Sequence, residues 1–181
     1  MIIVGIVGRN RVYDVGYRHM CRFQAKSVYE QPILRGVELA WRLDHDSFIT
    51  RQINYDIFAF MRDKQLIYGF VKVFRELPVW TTDLWDAARE YIRVAAVKPT
   101  FFNKWPRNAI FYNNFEISRL SLWLSEDYQR FITYIDRLGG IYYHRWGDAP
   151  IKSIAVAMFV PRNQTHHFND IGYRHQFFRR P

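Results

Sequence analysis

Strand-like and helix-like apolar patterns alternate along this sequence, and this alternation limits its fold more than any other feature. The segment "ELAWRLDHD" is an apolar run that ends in carboxylates, and "YDIFAFMRD" has helical spacing. "QLIYGFVKVF" predicts a strand, "TTDLWDAAREYIRV" a helix with a threonine cap, and "NAIFYNNFEI" an extended segment. Strands that alternate with helices indicate an α/β protein with a mixed sheet and flanking helices. Ligands of such sheets bind near the carboxyl ends of the strands.

Two further helices are predicted in the second half of the chain. "SEDYQRFITYIDRLGG" is typical of a helix with Ser125 as its N-cap and the glycines as its stop. The next helix carries an apolar stripe and ends before Pro161. The stripe comprises Ile151, Ile154, Ala155, Met158 and Phe159. At the start of the chain, "MIIVGIVG" predicts a strand.

The organisation of the chain favours one domain over residues 1–181. A length of 181 residues is enough to bury a core, and no internal repeat or serine- and glycine-rich linker interrupts it. No segment reaches the roughly 18 consecutive apolar residues of a membrane span, and the opening lacks the basic flank of a secretory signal. Cys21 is the single cysteine and permits no internal disulfide.

The formal net charge of +9 raises the hypothesis of nucleic-acid binding. The basic residues are dispersed, however, and no run of five like charges occurs. The aromatic share of 18% suits the stacking of bases or of sugars equally. The dispersed charge argues against a nucleic-acid partner.

Carboxylates mark two candidate sites. Asp44 and Asp46 flank His45 where an apolar strand emerges, so they either face a divalent metal or a sugar hydroxyl, or simply form a turn. Glu116 lies in an extended apolar stretch after two asparagines. Its carboxylate is either buried with hydrogen-bond partners or directed into a cleft for work on a reacting centre.

The segment "YYHRWGDAP" combines a helix start with a cluster of rings. Asp148, two residues before Pro150, is predicted to be an N-cap. A cap does not explain Tyr142, Tyr143, Arg145 and Trp146, a set that suits a phosphate or a sugar ring near a helix N-terminus.

The histidines near the end of the sequence are candidate metal ligands. His166, His167 and His175 have Asp170 between them, but their spacing matches no closed zinc site. Each is therefore either a metal ligand or a surface histidine.

Taken together, these segments resemble the fungal KTR-type α-1,2-mannosyltransferases, glycosyltransferase family 15, from about Gly16 onward. The matching stretches are "GYRHMCRF", "WRLDHD", "YDIFAFM", "YGF", "NNFEI", "YYHRWGDAP" and "HFNDIGYRH", in the family's order. The resemblance implies a GT-A-like catalytic domain on the lumenal side of the Golgi membrane. It also implies Mn²⁺ as cofactor and transfer of mannose from GDP-mannose to α-mannoside or glycoprotein glycan acceptors, with retention at the anomeric carbon.

The same resemblance assigns roles to individual residues. Glu116 matches the family's proposed nucleophile, although a front-face route in which it only stabilises charge fits equally. His175 and Glu76 are implied near the metal. Substrate contacts are implied for Tyr17, Asp44, Asp46, Tyr143, Arg145, Trp146 and Asp148.

The sequence departs from the family pattern in three places. Asp44-His45-Asp46 replaces Glu-Pro-Asp, and His144 stands where the family usually has glutamate. The family's membrane anchor, stem and much of its nucleotide-binding region have no counterpart before Met1. We therefore expect an incomplete catalytic domain, attached to a membrane only through an anchor absent from this chain. The alternative is a truncated, non-catalytic remnant of such an enzyme.

Overall fold

A computed structural model describes residues 15–175 of the chain. The strand predicted for "MIIVGIVG" lies outside the described residues. The helices are α1 (Val15–Ala25), α2 (Ile57–Asp63), α3 (Leu84–Val94), α4 (Leu120–Leu124), α5 (Glu126–Arg137), α6 (Gly140–Tyr143) and α7 (Asp148–Phe159). The strands are β1 (Leu39–Leu43), β2 (Ser47–Ile49), β3 (Tyr68–Phe70), β4 (Val73–Arg75), β5 (Ala109–Phe111), β6 (Phe115–Arg119), β7 (Thr165–His167) and β8 (Tyr173–His175).

The main sheet is mixed and has the strand order β1-β6-β3-β7. Strand β6 is antiparallel to both β1 and β3, and β3 is parallel to β7. Two small antiparallel sheets, β2 with β8 and β4 with β5, lie beside it. Helices flank the main sheet, so the predicted α/β class with a mixed sheet is confirmed.

Two segments, one predicted as a strand and one as an extended segment, are each divided between sheets. In "QLIYGFVKVF", β3 joins the main sheet and β4 pairs with β5. "NAIFYNNFEI" divides into β5 and β6 around residues 112–114. The prediction of one strand over "QLIYGFVKVF" was wrong because the apolar run continues through the switch point, and periodicity does not record which strand each part will pair with.

Side-chain capping was predicted correctly for α5 and wrongly for α3. The Ser125 hydroxyl accepts a hydrogen bond from the Tyr128 amide at 3.2 Å, as an N-cap does. Helix α3 instead begins after Asp83, whose φ of 60° is left-handed and whose side chain makes no capping bond. The Thr81 hydroxyl donates to the Asn108 side chain at 3.0 Å.

Helix α7 is buried on all sides rather than along one stripe. It packs against α1, α3, α5 and β5, so even Lys152 and Ser153 are buried. The apolar stripe was predicted from an isolated helix, whereas the neighbouring elements cover the remaining faces. Within residues 15–175, no helix is both long enough and apolar enough to span a bilayer.

Strand β6 separates two cores. Phe115 and Ile117 pack with residues of α2 in the smaller core, which contains Leu39, Ile57, Met61, Leu66, Phe168 and Ile171. Since side chains alternate along a strand, Glu116 and Ser118 point to the opposite face, toward α7. The alternation therefore directs the charged side chain of Glu116 toward the larger core.

Candidate functional site

A cavity of about 740 Å³ opens where several strand ends and loops meet. The end of β1, the β1–β2 turn, the β5–β6 turn, β8 and the start of α7 form its walls. The predicted preference of α/β proteins for ligands at strand ends therefore matches the position of the cavity.

Three potential metal ligands converge on one side of the cavity. Pairing of β2 with β8 sets His175 opposite Ser47 and so beside Asp46. The His175 Nε2 atom lies 2.8 Å from Asp46 Oδ1 and 3.9 Å from Asp44 Oδ2. One ligand atom from each of the three residues lies within 4.8 Å of the others. Two carboxylates and an imidazole form a donor set that suits Mn²⁺ or a similar divalent ion.

The β5–β6 turn supports this cluster. The Tyr112 hydroxyl is hydrogen-bonded to His175 Nδ1 at 2.9 Å. Asn114 Nδ2 donates to Asp44 Oδ2 at 2.6 Å and lies 3.0 Å from His175 Nε2. These contacts orient the imidazole and one carboxylate, as outer-shell partners do in metal sites.

Arg42 links the cluster to the start of α7. Its Nε donates to Asp44 Oδ1 at 3.1 Å, and a terminal nitrogen donates to Asp148 Oδ2. Asn113 Nδ2 donates to the same Asp148 oxygen at 2.8 Å. Burial raises the pKa of Asp148, but the positive charge and hydrogen bond of Arg42 outweigh it and hold that pKa below its usual value. Asp148 is thus an ionised, buried carboxylate at the edge of the cavity.

Asp148 is not the N-cap of α7, so this prediction was wrong. Gly147 occupies the cap position and Asp148 is the first helical residue. The carboxylate is bonded to Arg42 and Asn113, neither of which is near it in the sequence.

Arg145 enters the cavity wall between two aromatic rings. Its guanidinium carbon lies 4.8 Å from the centre of the Tyr17 ring and 4.2 Å from that of Trp80. It also donates to the Tyr17 hydroxyl at 3.1 Å. Burial raises the pKa of Tyr17 far above its usual value, so this phenol stays protonated. Tyr17 and Arg145 therefore form a cationic, hydroxyl-bearing part of the cavity.

Tyr143 and Trp146 do not line this cavity, in contrast to the contacts expected for them. Trp146 is 3% exposed and its indole nitrogen donates to the Thr82 carbonyl at 2.6 Å. A Cβ on Gly140 would lie 2.4 Å from the Trp146 ring, so the indole occupies space left by this glycine. Tyr143 is exposed away from the cavity walls.

Glu116 is buried beneath the cavity rather than on its wall. Its Oε1 accepts a hydrogen bond from the ammonium group of Lys152, and its Oε2 accepts one from the Tyr68 hydroxyl at 3.1 Å. In the main sheet it pairs with Arg42, which does line the cavity. The sequence left open whether the Glu116 carboxylate is buried with hydrogen-bond partners or directed into a cleft. The structure shows it buried with hydrogen-bond partners.

The other candidates are divided between the cavity and the rest of the molecule. Glu76 lines the cavity outside the three-residue cluster, and its Oε1 accepts from the Leu77 amide at 3.0 Å. His166 contacts the Phe168 ring, and His167 Nε2 lies 2.9 Å from the Val71 carbonyl oxygen. Neither of these two histidines is among the cavity-lining residues.

Sequence reasoning missed Arg42, Tyr112 and Lys152. Arg42 lies two residues before Asp44 in the sequence. An arginine this close to a carboxylate is only a weak signal that the two side chains are paired. Nothing in the local pattern marks Lys152, which occupies a position in an apolar helix where a lysine is rarely buried.

The fold is shared with solved enzymes. The chain is similar to core-mannan synthase A from Aspergillus fumigatus, solved in a Mn/GDP form, with a TM-score of 0.84 and 28% identity over 90% of this chain and 48% of that one. It is also similar to the mannosyltransferase Ktr4p from Saccharomyces cerevisiae, solved in complex with GDP, with a TM-score of 0.85 and 32% identity over 93% of this chain and 48% of that one. The fold is thus that of the GT-A-like glycosyltransferases.

Within this class, the chain belongs to the glycolipid 2-alpha-mannosyltransferase family, whose sequence pattern matches residues 10–180. It is 35% identical to glycolipid 2-alpha-mannosyltransferase 2 of Candida albicans over 176 residues, which is 90% of this chain and 37% of the relative. The family resemblance and the GT-A-like fold expected from the sequence are confirmed. The chain spans less than half the length of these relatives.

Proposed function

We propose that residues 1–181 form part of the catalytic domain of a retaining α-1,2-mannosyltransferase. The reaction moves mannose from GDP-mannose to an α-mannoside on a glycoprotein, as in protein glycosylation and the synthesis of cell-wall mannan. One observation carries the proposal: the cavity with the Asp44, Asp46 and His175 cluster occurs in a fold shared with an enzyme solved in a Mn/GDP form.

We assign the cation site to these three residues and place Glu76 outside it. Bound there, Mn²⁺ supplies positive charge that offsets the charge of a diphosphate leaving group. Tyr112 and Asn114 hold the imidazole and Asp44 in place for this role. Arg42 limits the negative charge of the cluster because its guanidinium is shared between Asp44 and Asp148.

The remaining polar side chains of the cavity suit a sugar-containing ligand. Arg145 and the protonated Tyr17 hydroxyl offer hydrogen bonds to phosphate or sugar oxygens. Asp148, another residue of the cavity wall, is an acceptor for sugar hydroxyls. We do not assign sugar contacts to Tyr143 or Trp146, since neither lines the cavity.

Glu116 is the proposed catalytic carboxylate. In one route the carboxylate attacks the anomeric carbon as its bond to the GDP oxygen breaks, and the acceptor hydroxyl then displaces the carboxylate from the glycosyl-enzyme ester. In the other, the carboxylate stabilises the positive charge of an oxocarbenium-like transition state while GDP leaves and the acceptor hydroxyl attacks from the same face. Both routes retain the anomeric configuration. Its pairing in the sheet with Arg42, a residue of the cavity wall, supports this assignment.

We place this activity on the lumenal side of the Golgi membrane, the location that the family resemblance implies. The membrane anchor of such an enzyme would lie outside the described residues.

Calorimetry with GDP-mannose and Mn²⁺, followed by a transfer assay with methyl α-mannoside, tests the proposal. Binding that requires Mn²⁺, together with formation of an α-1,2-linked dimannoside, would support it. The absence of both would favour the alternative of a non-catalytic remnant.

A further inference from the structure

A buried ion pair lies between the centre of the main sheet and helix α7. The Lys152 ammonium donates to Glu116 Oε1, and the two side chains are 1% and 3% exposed. The Ser118 hydroxyl lies 3.5 Å from the same carboxylate oxygen and accepts from the Trp123 indole nitrogen at 2.8 Å. Lys152 Nζ also lies 4.5 Å from the centre of the Trp123 ring.

Charged and titratable groups surround this pair on several elements. Burial raises the pKa of the neighbouring tyrosines far above their usual value, so they remain protonated phenols at neutral pH. The groups with electrostatic influence on the pair are Tyr29, Arg42 on β1, Tyr68 on β3, Tyr128 on α5 and Asp148 on α7. Lys152 is the cation in direct contact with Glu116 among the described residues.

Each member of the pair depends on the other for its charge. Burial lowers the pKa of Lys152, and the charge of Glu116 opposes this effect. A carboxylate at the same depth without a cation would bind a proton instead of remaining charged. A protonated carboxyl group is neither a nucleophile nor a negative charge that stabilises a cationic transition state.

Helix α7 connects this pair to the cavity. Asp148 and Lys152 are four residues apart and therefore lie on the same face of the helix. Asp148 contacts Arg42 at the cavity wall, while Lys152 contacts Glu116 beneath it. The same helix thus positions one group on the wall and one under it.

We propose that Lys152 is a positioning residue, which holds Oε1 of Glu116 and keeps this carboxylate ionised beneath the cavity. The proposal rests on the proposed function, in which Glu116 acts on the anomeric carbon. It adds a residue that acts through Glu116 without touching substrate.

The test replaces Lys152 by methionine, which has a similar shape and no charge, and by glutamine, which can still donate a hydrogen bond. In chains labelled with ¹³C at the glutamate carboxyl carbons, the Glu116 signal is identified by its absence from the double variant Glu116→Gln/Lys152→Met. We expect this signal to be that of an ionised group in the wild type at pH 7 and that of a protonated group in Lys152→Met. Lys98→Met removes the charge of an exposed lysine and should leave the signal unchanged.

Transfer kinetics give the second readout. For Lys152→Met we expect mannose transfer to fall at least about tenfold at pH 7 and to recover at higher pH, as Glu116 loses its proton. A merely structural role would reduce the melting temperature without moving the pH profile. If the methionine variant does not fold, Lys152→Gln carries the same two measurements.

An unchanged Glu116 signal and an unchanged pH profile in the folded variant would overturn the proposal. A wild-type chain that transfers no mannose would instead contradict the proposed function. The carboxyl signal needs no activity, so it distinguishes these two failures.

Discussion

The Arg42 guanidinium donates a hydrogen bond to the Asp148 carboxylate and joins residues that are 106 positions apart. Arg42 also contacts Asp44, so it lies between the potential metal cluster and the start of α7. A change in either carboxylate therefore alters the electrostatic balance of the cavity wall.

The first prediction concerns the stability that Asp148 supplies. Asp148→Asn removes the negative charge from a side chain that is 8% exposed. The partner side chain, Arg42, is 19% exposed and keeps its positive charge. We expect the free energy of unfolding in denaturant to fall by about 2 kcal/mol, the range for a hydrogen bond to a charged group. Asp56→Asn is the control: Asp56 caps α2, and asparagine caps helices about as well. Equal stability of the two variants would contradict a specific role for the Arg42 contact.

The second prediction is the pH dependence conferred by Asp136. Hydrogen bonds from Arg22 and then Lys26 hold the pKa of this carboxyl below its usual value of 3.8. Because the pKa is lower in the folded state, the stabilisation is complete above about pH 4 and disappears as the pH falls through the folded-state pKa.

Asp136→Asn should therefore lower the free energy of unfolding by on the order of 1 kcal/mol near neutral pH. Between pH 2 and 5, the free energy of unfolding from urea titrations should also fall less steeply with decreasing pH than in the wild type. Asp86→Asn serves as the control, because the Asp86 side chain is 54% exposed and its ion pairs contribute little. If the stability of Asp136→Asn depends on pH between 2 and 5 as the wild type does, the contacts of Arg22 and Lys26 do not stabilise the fold.

The third prediction concerns the metal ligands. His175→Ala removes the imidazole from the cluster with Asp44 and Asp46, so the affinity for Mn²⁺ alone should fall by about tenfold or more. Electron paramagnetic resonance of free Mn²⁺ measures this directly and needs no substrate. His166→Gln changes a histidine outside the cavity and should bind the ion like the wild type. Identical affinity of all three chains would remove His175 from the cation site.

The fourth prediction tests the support of the imidazole. Tyr112→Phe removes the hydroxyl that contacts His175 Nδ1 at 2.9 Å and leaves the ring in place. Loss of such an outer-shell partner typically weakens metal binding by about 10- to 100-fold, and we expect the lower end of this range. Tyr55→Phe, which removes a hydroxyl bonded to Asp170 at an exposed site, is the matched control. Mn²⁺ binding of Tyr112→Phe at wild-type strength would contradict the supporting role.

Local signals in the sequence were sufficient for much of the secondary structure. The cap at Ser125, the helical spacing of α2 and the strand end at Asp44 each depend on residues a few positions apart. The same kind of reasoning failed at Thr81–Asp83 and at β3–β4, where contacts with distant segments decide how the chain turns and pairs.

For the candidate site, the sequence by itself determined the residue types and the family. It marked Asp44 and Asp46 at a strand end, Glu116 in an extended segment, Asp148 at a helix start and His175 near the end of the sequence. Only the tertiary structure decided their partners: Asp46 with His175 through β2–β8 pairing, and Glu116 with Lys152 across 36 positions. The physical reason for this division is the sequence distance over which each effect acts. Capping and periodicity act over one or two turns of chain. The partner of a buried charge is instead set by how sheet and helix pack together.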